Sequence, residues 1–255
     1  STGIILMSTS FLLYTVLVSK PKQKFKDDTK VKKSSIKDRE RVWTILRRMF
    51  STRQAWATFL CHFGVVGTYV GFIGSWGVPY GIHVLELSRA AASQLIMYGL
   101  FGAMIGAPLI SWITSRLDSI RNIYTLIHLI VLLSWIGLFL SGVNPPFILV
   151  MALLFMIGLG MGASTLTFAV VRESFPMKEV GVVSGFANMG GFLSAVLLPI
   201  VFGKVLDLFS QHSINIGYHY GFLIPVLFSL MGLVGVILIK EQRDGSSASI
   251  PNVSN

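Results

Sequence analysis

The side chains of this sequence that could bind a solute or carry a proton are few, and several recur at helical spacing. Thr58, His62, Tyr69, Trp76 and Tyr80 are separated by four, seven, seven and four residues. At about 100° per residue they fall within an arc of about 40° of one helix. Such a stripe offers hydroxyl, imidazole and indole groups for hydrogen bonding. His62 is its one member able to titrate near neutral pH. Gly64, Gly67, Gly71 and Gly74 share an arc of about 80° on roughly the opposite side, a ridge over which a second helix can pack closely. The stripe then faces either a wet cavity or the polar atoms of another helix. Three further places repeat this pairing of small and polar residues. Gln94 and Tyr98 stand one turn apart; Ser164, Thr165 and Thr167 follow Gly158, Gly160 and Gly162; Asn188 sits among Gly185, Gly191 and Ala195. Asn188 can serve as a ligand contact or as an interhelical hydrogen bond.

None of this is catalytic chemistry. Cys61 is the single cysteine, so neither a disulfide nor a cysteine metal site can form within the chain. The five histidines lie on separate segments without metal-ligand spacing, and Gly160-x-Gly162 lacks the strand-turn-helix setting of a nucleotide loop. No catalytic residue, no metal and no cofactor is expected.

The elements that must position these groups follow from hydropathy. The chain is 53% hydrophobic and 13% charged, with mean hydropathy +0.71, whereas a soluble domain carries about a quarter charged residues. Between Ala55 and Val171 the only charged side chains are Glu86, Arg89, Arg116, Asp118 and Arg121. A helix needs about 20 apolar residues to cross the hydrocarbon core. Stretches of about that length run from 1 to 19, 55 to 77, 93 to 113, 123 to 142, 147 to 171, 181 to 204 and 219 to 239. Backbone amides in lipid must bond internally, so these read as helices, and the chain as an all-α multi-pass membrane protein. The stretch 123–142 is aliphatic almost all round and belongs on the lipid periphery, with His128 bonded to a neighbouring helix.

Lys and Arg set the orientation. The connection from Lys20 to Gln54 holds 13 of the 21 basic residues, and Arg116, Arg121, Arg172, Lys178, Lys240 and Arg243 fall on the same side. Only Arg89 and Lys204 fall on the other, so the linker and the C-terminal tail 241–255 are expected to be cytoplasmic in the cell membrane. Residues 20–33 are too charged to build a core. After them Val42, Leu46, Met49 and Phe50 recur at helical spacing among Arg39, Arg41, Arg47 and Arg48, which suits a helix lying on anionic lipid. The net charge of +10 is thus a membrane signal; no nucleic-acid-reading module accompanies it. Ser1 opens directly on an apolar segment without a basic flank, which reads as a piece of a longer protein whose N-terminal half ends with the span 1–19.

The stretch RESFPMKEVGVVSGFANMGGFLSAVLLPIVFGKVLD, residues 172–207, resembles the junction of the tenth and eleventh helices of major facilitator superfamily transporters, especially the sugar-phosphate and organic-anion permeases. SWITSRLDSIR, from Ser111 to Arg121, stands where that family carries the second copy of G-x-x-x-D-R-x-G-R-R. Ser111 and Ser115 replace its glycine and aspartate while Arg116 persists. The resemblance implies the last helix of an N-terminal bundle at 1–19, a basic linker at 20–54 and a C-terminal six-helix bundle at 55–240. It implies transport of a small polar or anionic solute by alternating access, with a coupling proton or counter-anion and with half of the binding site in the missing N-terminal half. His62, Tyr69, Trp76, Tyr80, Gln94, Tyr98, Ser164 and Asn188 are then the candidate cavity residues, and Arg116, Arg121, Arg172, Glu173, Lys178 and Glu179 the gating charges. A drug or metabolite efflux pump, a non-transporting sensor and a half-size subunit are the alternatives.

Overall fold

The computed structural model describes residues 42–117 and 119–240, and every regular element among them is helical. The span expected at 1–19, the linker up to Arg41 with Arg39, and the tail from 241 lie outside the described residues. In chain order the helices are α1 (Val42–Ser51), α2 (Arg53–His62), α3 (Thr68–Ser75), α4 (Gly77–His83), α5 (Arg89–Thr114), α6 (Ile120–Leu140), α7 (Phe147–Leu159), α8 (Ala163–Ser174), α9 (Met177–Leu208), α10 (Ile214–Gly221) and α11 (Leu223–Leu238). A π turn, Phe63–Gly67, joins α2 to α3, and a 3-10 turn, Gly160–Gly162, joins α7 to α8. Six continuous runs are long and apolar enough to cross a membrane: Arg53–Ser75, Arg89–Thr114, Ile120–Leu140, Phe147–Ser174, Met177–Leu208 and Ile214–Leu238. The all-α membrane fold read from hydropathy is the fold observed.

Short polar breaks start and stop these helices. The Ser88 hydroxyl accepts from the Ala91 amide at 3.2 Å and Ser119 from Asn122 at 3.3 Å, so each caps one of the amides that α5 and α6 leave over. Pro146 and Pro176 precede α7 and α9, where a residue without an N–H leaves nothing unbonded. Just past the end of α6 stands Gly142, whose φ of +76° lies in the left-handed region that a side chain disfavours.

Glycine decides which helices touch. A β-carbon at Gly102 would stand 2.8 Å from the Leu159 amide nitrogen, and one at Gly158 2.8 Å from the Gly99 carbonyl carbon, so α5 and α7 meet backbone to backbone. The ridge on the first span is shared between two helices. Gly64 abuts the backbone of Gly232 on α11, whereas Gly67 faces Ser194 and Gly71 faces Leu198 on α9; Gly74 meets nothing within 4 Å. Pro199 deprives the Ala195 carbonyl of its helical donor, and that oxygen lies 3.2 Å from where a Gly71 side chain would begin.

Two apolar clusters fill the bundle. At the end of the spans remote from α1, the Phe72 ring lies 5.4 Å from the rings of Trp135 and Phe222 and 5.9 Å from Phe202, tying α3 to α6 and α9. At the α1 end, Met49, Ala55, Val171, Phe175, Val183 and Phe186 form a second cluster. Helix α1 therefore rests on the chain itself: Met49 is buried, Phe50 packs edge-on against Phe186 at 5.2 Å, and Arg48 pairs with the buried Glu179. Trp43 and Arg47 remain exposed on α1.

Candidate functional site

A half-open groove of about 270 Å³ runs between the first span and α9, lined by His62, Val66, Val70, Asn188, Gly191, Phe192 and Ala195. On the side of the first span α2 runs into the π turn. A π turn holds one residue more than an α turn and turns everything beyond it by about 100° relative to the residues before it. Val70 thereby comes into line with His62 and Val66, while Tyr69 packs toward α5, with its ring against Gly99.

His62 is held on three sides. Its Nδ1 lies 3.0 Å from the Thr167 hydroxyl on α8, and the Phe168 ring stands 5.5 Å away at 60°. A methyl group at Gly191 would stand 3.2 Å from Cδ2 of the imidazole, so the glycine there lets α9 approach the ring closely. Thr167 in turn bonds the Tyr124 hydroxyl on α6 and lies 3.4 Å from the Ala163 carbonyl. All three polar side chains are buried, with His62 at 3%, Thr167 at 1% and Tyr124 at 0% exposure. A second histidine is spent on packing: His128 Nδ1 lies 2.9 Å from the Tyr124 carbonyl oxygen, with Nε2 3.4 Å from that of Cys61. The Cys61 thiol is buried and points to the Gly232 carbonyl at 3.8 Å.

Of the eight cavity residues named from sequence, the groove brings together His62 and Asn188. Tyr69 is buried, its hydroxyl without a partner among the described residues. Trp76 stacks on Phe202 at 5.7 Å and donates its indole N–H to the Pro199 carbonyl at 3.1 Å. Tyr80 lies inside the aromatic cluster, 5.2 Å from Phe222. Gln94 and Tyr98 are exposed on α5, and Ser164 is half-buried on α8. Tyr124 and Phe168 were not singled out from sequence. The usable signal for Tyr124 was a phenol one turn before His128 in an otherwise aliphatic helix.

The charges expected from sequence to gate lie at the helix ends and in the short connections. Arg116 is exposed over the Trp112 ring at 5.6 Å. Arg121 and Glu173 line a small cleft with Gln54, Ser174 and Lys240. There the Gln54 amide donates to the Ser174 hydroxyl at 3.1 Å and accepts from the Lys240 N–H at 3.1 Å. Arg172 and Lys178 are exposed, whereas Glu179 is buried against Arg48, a residue of the linker and not of the named set. Among the described residues no group of three or more His, Cys, Asp or Glu side chains could hold a metal ion.

Known proteins agree with this architecture. The family model of the Major Facilitator Superfamily matches residues 1–199. The probable galactarate/D-glucarate transporter GudP of Escherichia coli (strain K12) is 29% identical over 193 residues, which cover 68% of this chain and 41% of that protein. The chain thus spans about two-fifths of the length of this curated relative. With six apolar spans in one all-helical bundle, and with a family match over more than half of its length, the chain belongs to the Major Facilitator Superfamily.

Proposed function

We propose that this chain forms one wall of a secondary transporter that moves a small polar or anionic solute across the cell membrane by alternating access, with solute held at His62 and Asn188. The observation that carries this reading is the groove itself: an imidazole and an amide from two different spans share a cleft otherwise walled by Val66, Val70, Phe192 and Ala195. Apolar walls exclude water, so the few hydrogen bonds made there count for more than they would in solvent. The relative GudP is named for galactarate and D-glucarate, sugar acids rich in hydroxyls. Imidazole and amide suit hydroxyl and carboxylate oxygens. The groove carries no cation, so the carboxylates of such a solute are met by the opposing bundle or by a coupling proton.

The opposing bundle is proposed to cover the exposed faces of α5 and α9. Gln94, Met97, Tyr98, Phe101 and Met104 lie on the first, and Asn188, Phe192, Val196 and Ile200 on the second. The basic end of the bundle is cytoplasmic in this reading, with Trp43 and Arg47 of α1 toward anionic lipid. Arg116, Arg121, Arg172, Glu173, Lys178 and the Arg48–Glu179 pair gate that side. Uptake of labelled D-glucarate into vesicles containing the full-length protein tests the reading. His62→Ala and Asn188→Ala should each reduce uptake about tenfold, the effect of losing one hydrogen bond to a charged or desolvated group. Uptake untouched by both substitutions refutes the groove as the solute site.

A further inference from the structure

The groove is polar at one end only. The first span and α9 run in the same direction, since Phe59 meets Gly190, Gly67 meets Ser194 and Gly71 meets Leu198. His62 and Asn188 therefore share one end of the groove, and Val70 and Ala195 share the other, about 10 Å further along at 1.5 Å per residue. The geometry points to a solute divided in the same way: a small organic anion with an oxygen-rich end at Asn188 and an adjoining hydrocarbon segment, bare of hydroxyls, along Val66, Val70, Phe192 and Ala195. This inference rests on reading the groove as the solute site, and it narrows the solute class from polar acids in general to amphiphilic ones.

Every other polar side chain on the two facing stretches is turned elsewhere. The Thr68 hydroxyl is buried and donates to the Gly64 carbonyl at 2.8 Å. Tyr69 packs toward α5 against Gly99, and Ser194 is buried against Gly67. None of the three lines the groove. The Ala195 carbonyl, which Pro199 leaves without its helical donor, lies against Gly71 of the neighbouring helix. Even the polar end is partly occupied, because His62 is 3% exposed and bonds both Thr167 and Asn188. Asn188 is exposed, and its amide carries two donor hydrogens and two lone pairs, more than a bond to His62 uses. It is the natural anchor for a carboxylate or hydroxyl oxygen.

Beyond that anchor the walls are hydrocarbon and uncharged. A solute hydroxyl placed there would leave water without gaining a partner, which is costly, whereas a methylene placed there sheds water at a gain. D-glucarate, one of the solutes for which GudP is named, carries a hydroxyl on every interior carbon. Adipate has the same dicarboxylate skeleton with none, so the two acids differ only in the feature that the far end of the groove reads.

An engineered thiol reports on the groove without transport. In full-length protein in lipid nanodiscs, Ala195→Cys puts a thiol on the apolar wall while Cys61 is buried, and alkylation by a small maleimide is counted over that of the parent. Adipate should slow the reaction at a concentration about tenfold or more below that needed of D-glucarate, within the range by which an apolar pocket rejects an added hydroxyl. Val70→Thr in the same protein exchanges a wall methyl group for a hydroxyl and should narrow that ratio severalfold. Asn188→Ala should weaken both acids alike and preserve the ratio. Equal protection by the two acids, stronger protection by D-glucarate, or a ratio that follows Asn188→Ala and ignores Val70→Thr overturns the proposal and leaves the groove as the solute site. Protection by neither acid overturns the solute reading and the proposal together.

Discussion

The two glycine-lined seams of this bundle do opposite things. Where α5 crosses α7 and the 3-10 turn beyond it, Gly158 faces Gly99, Gly162 faces Gly106 and Gly102 faces Phe155 and Leu159, and an added methyl group would meet main chain at each of them. Where the first span crosses α9, glycine faces side chains as often as backbone: Ser194 at Gly67, Leu198 at Gly71, the His62 ring at Gly191. The first seam lets two backbones touch. The second closes at Gly67 and Gly71 and leaves a groove beside them. One residue type thus locks one pair of helices and makes room for a polar ring between another pair. What differs is whether the facing atoms can give way.

The sharpest way to break this comparison is to add one methyl group to the locked seam. Gly158→Ala drives a β-carbon into the Gly99 carbonyl, and neither partner can move without shifting a whole helix. A loss of about 3 kcal/mol or more is expected, at the upper end of overpacking costs. Thermal unfolding of the detergent-solubilised protein measures it. A variant that melts with the parent would show that α5 and α7 are not in backbone contact.

Much of this arrangement was legible in the sequence, and the limits are as instructive. The spans could be read because hydropathy needs no tertiary information, and the glycines of the first span and Gly158, Gly160 and Gly162 mark close approaches by composition alone. The phase of the first span could not be read. Extrapolating 100° per residue from Thr58 to Tyr80 places five polar residues on one face, but the π turn at Phe63–Gly67 and the break at Trp76 interrupt that count twice. His62 precedes the first interruption and borders the groove; Tyr69, Trp76 and Tyr80 follow it and are packed against α5, α9 and the aromatic cluster. Nothing in FGVVG announces a π turn. Likewise Met49 and Phe50 have the spacing of a lipid-facing stripe, and only the fold shows that Phe186 and Val183 lie beneath them.

At the start of α9, next to the looser seam, α1 is fastened by charge. Glu179 opens α9, is 2% exposed and pairs with Arg48 of α1, whose side chain is 42% exposed. Arg48→Ala would leave a buried carboxylate without that partner. Because solvent screens the arginine in part, the expected cost is about 1 to 3 kcal/mol, below that of a fully buried pair. Glu179→Gln should cost less than Arg48→Ala, since a neutral amide tolerates burial. Chemical denaturation of both variants ranks them, and the reverse order would mean that the pair contributes little to holding α1 on α9.

Gly191→Ala probes the seam where it meets the groove. The added methyl would stand 3.2 Å from the His62 ring, a contact relieved by a shift of a few tenths of an ångström. Unfolding should move by less than about 1 kcal/mol, the lower end of the range for overpacking. Solute affinity should respond more strongly, because the displaced ring is the proposed contact. A severalfold rise in KM for D-glucarate with an unchanged melting temperature is the expected pair of results; a fall in melting temperature as large as that of Gly158→Ala would make the two seams alike.

The smallest effects belong to glycines that touch nothing. Gly74 on α3 and Gly185 on α9 have no atom within 4 Å of an added β-carbon, so alanine there creates no clash and removes some backbone freedom from the unfolded chain. Melting temperatures should stay level or rise slightly, within about 0.5 kcal/mol. Gly185 carries the further consequence. It lies on the exposed face of α9 that the opposing bundle is proposed to cover, so a bulkier Gly185→Leu should leave this bundle's stability near that of Gly185→Ala and yet slow uptake, since the obstruction would arise only when the two bundles close on each other. Equal uptake in Gly185→Ala and Gly185→Leu would place this face of α9 against lipid instead.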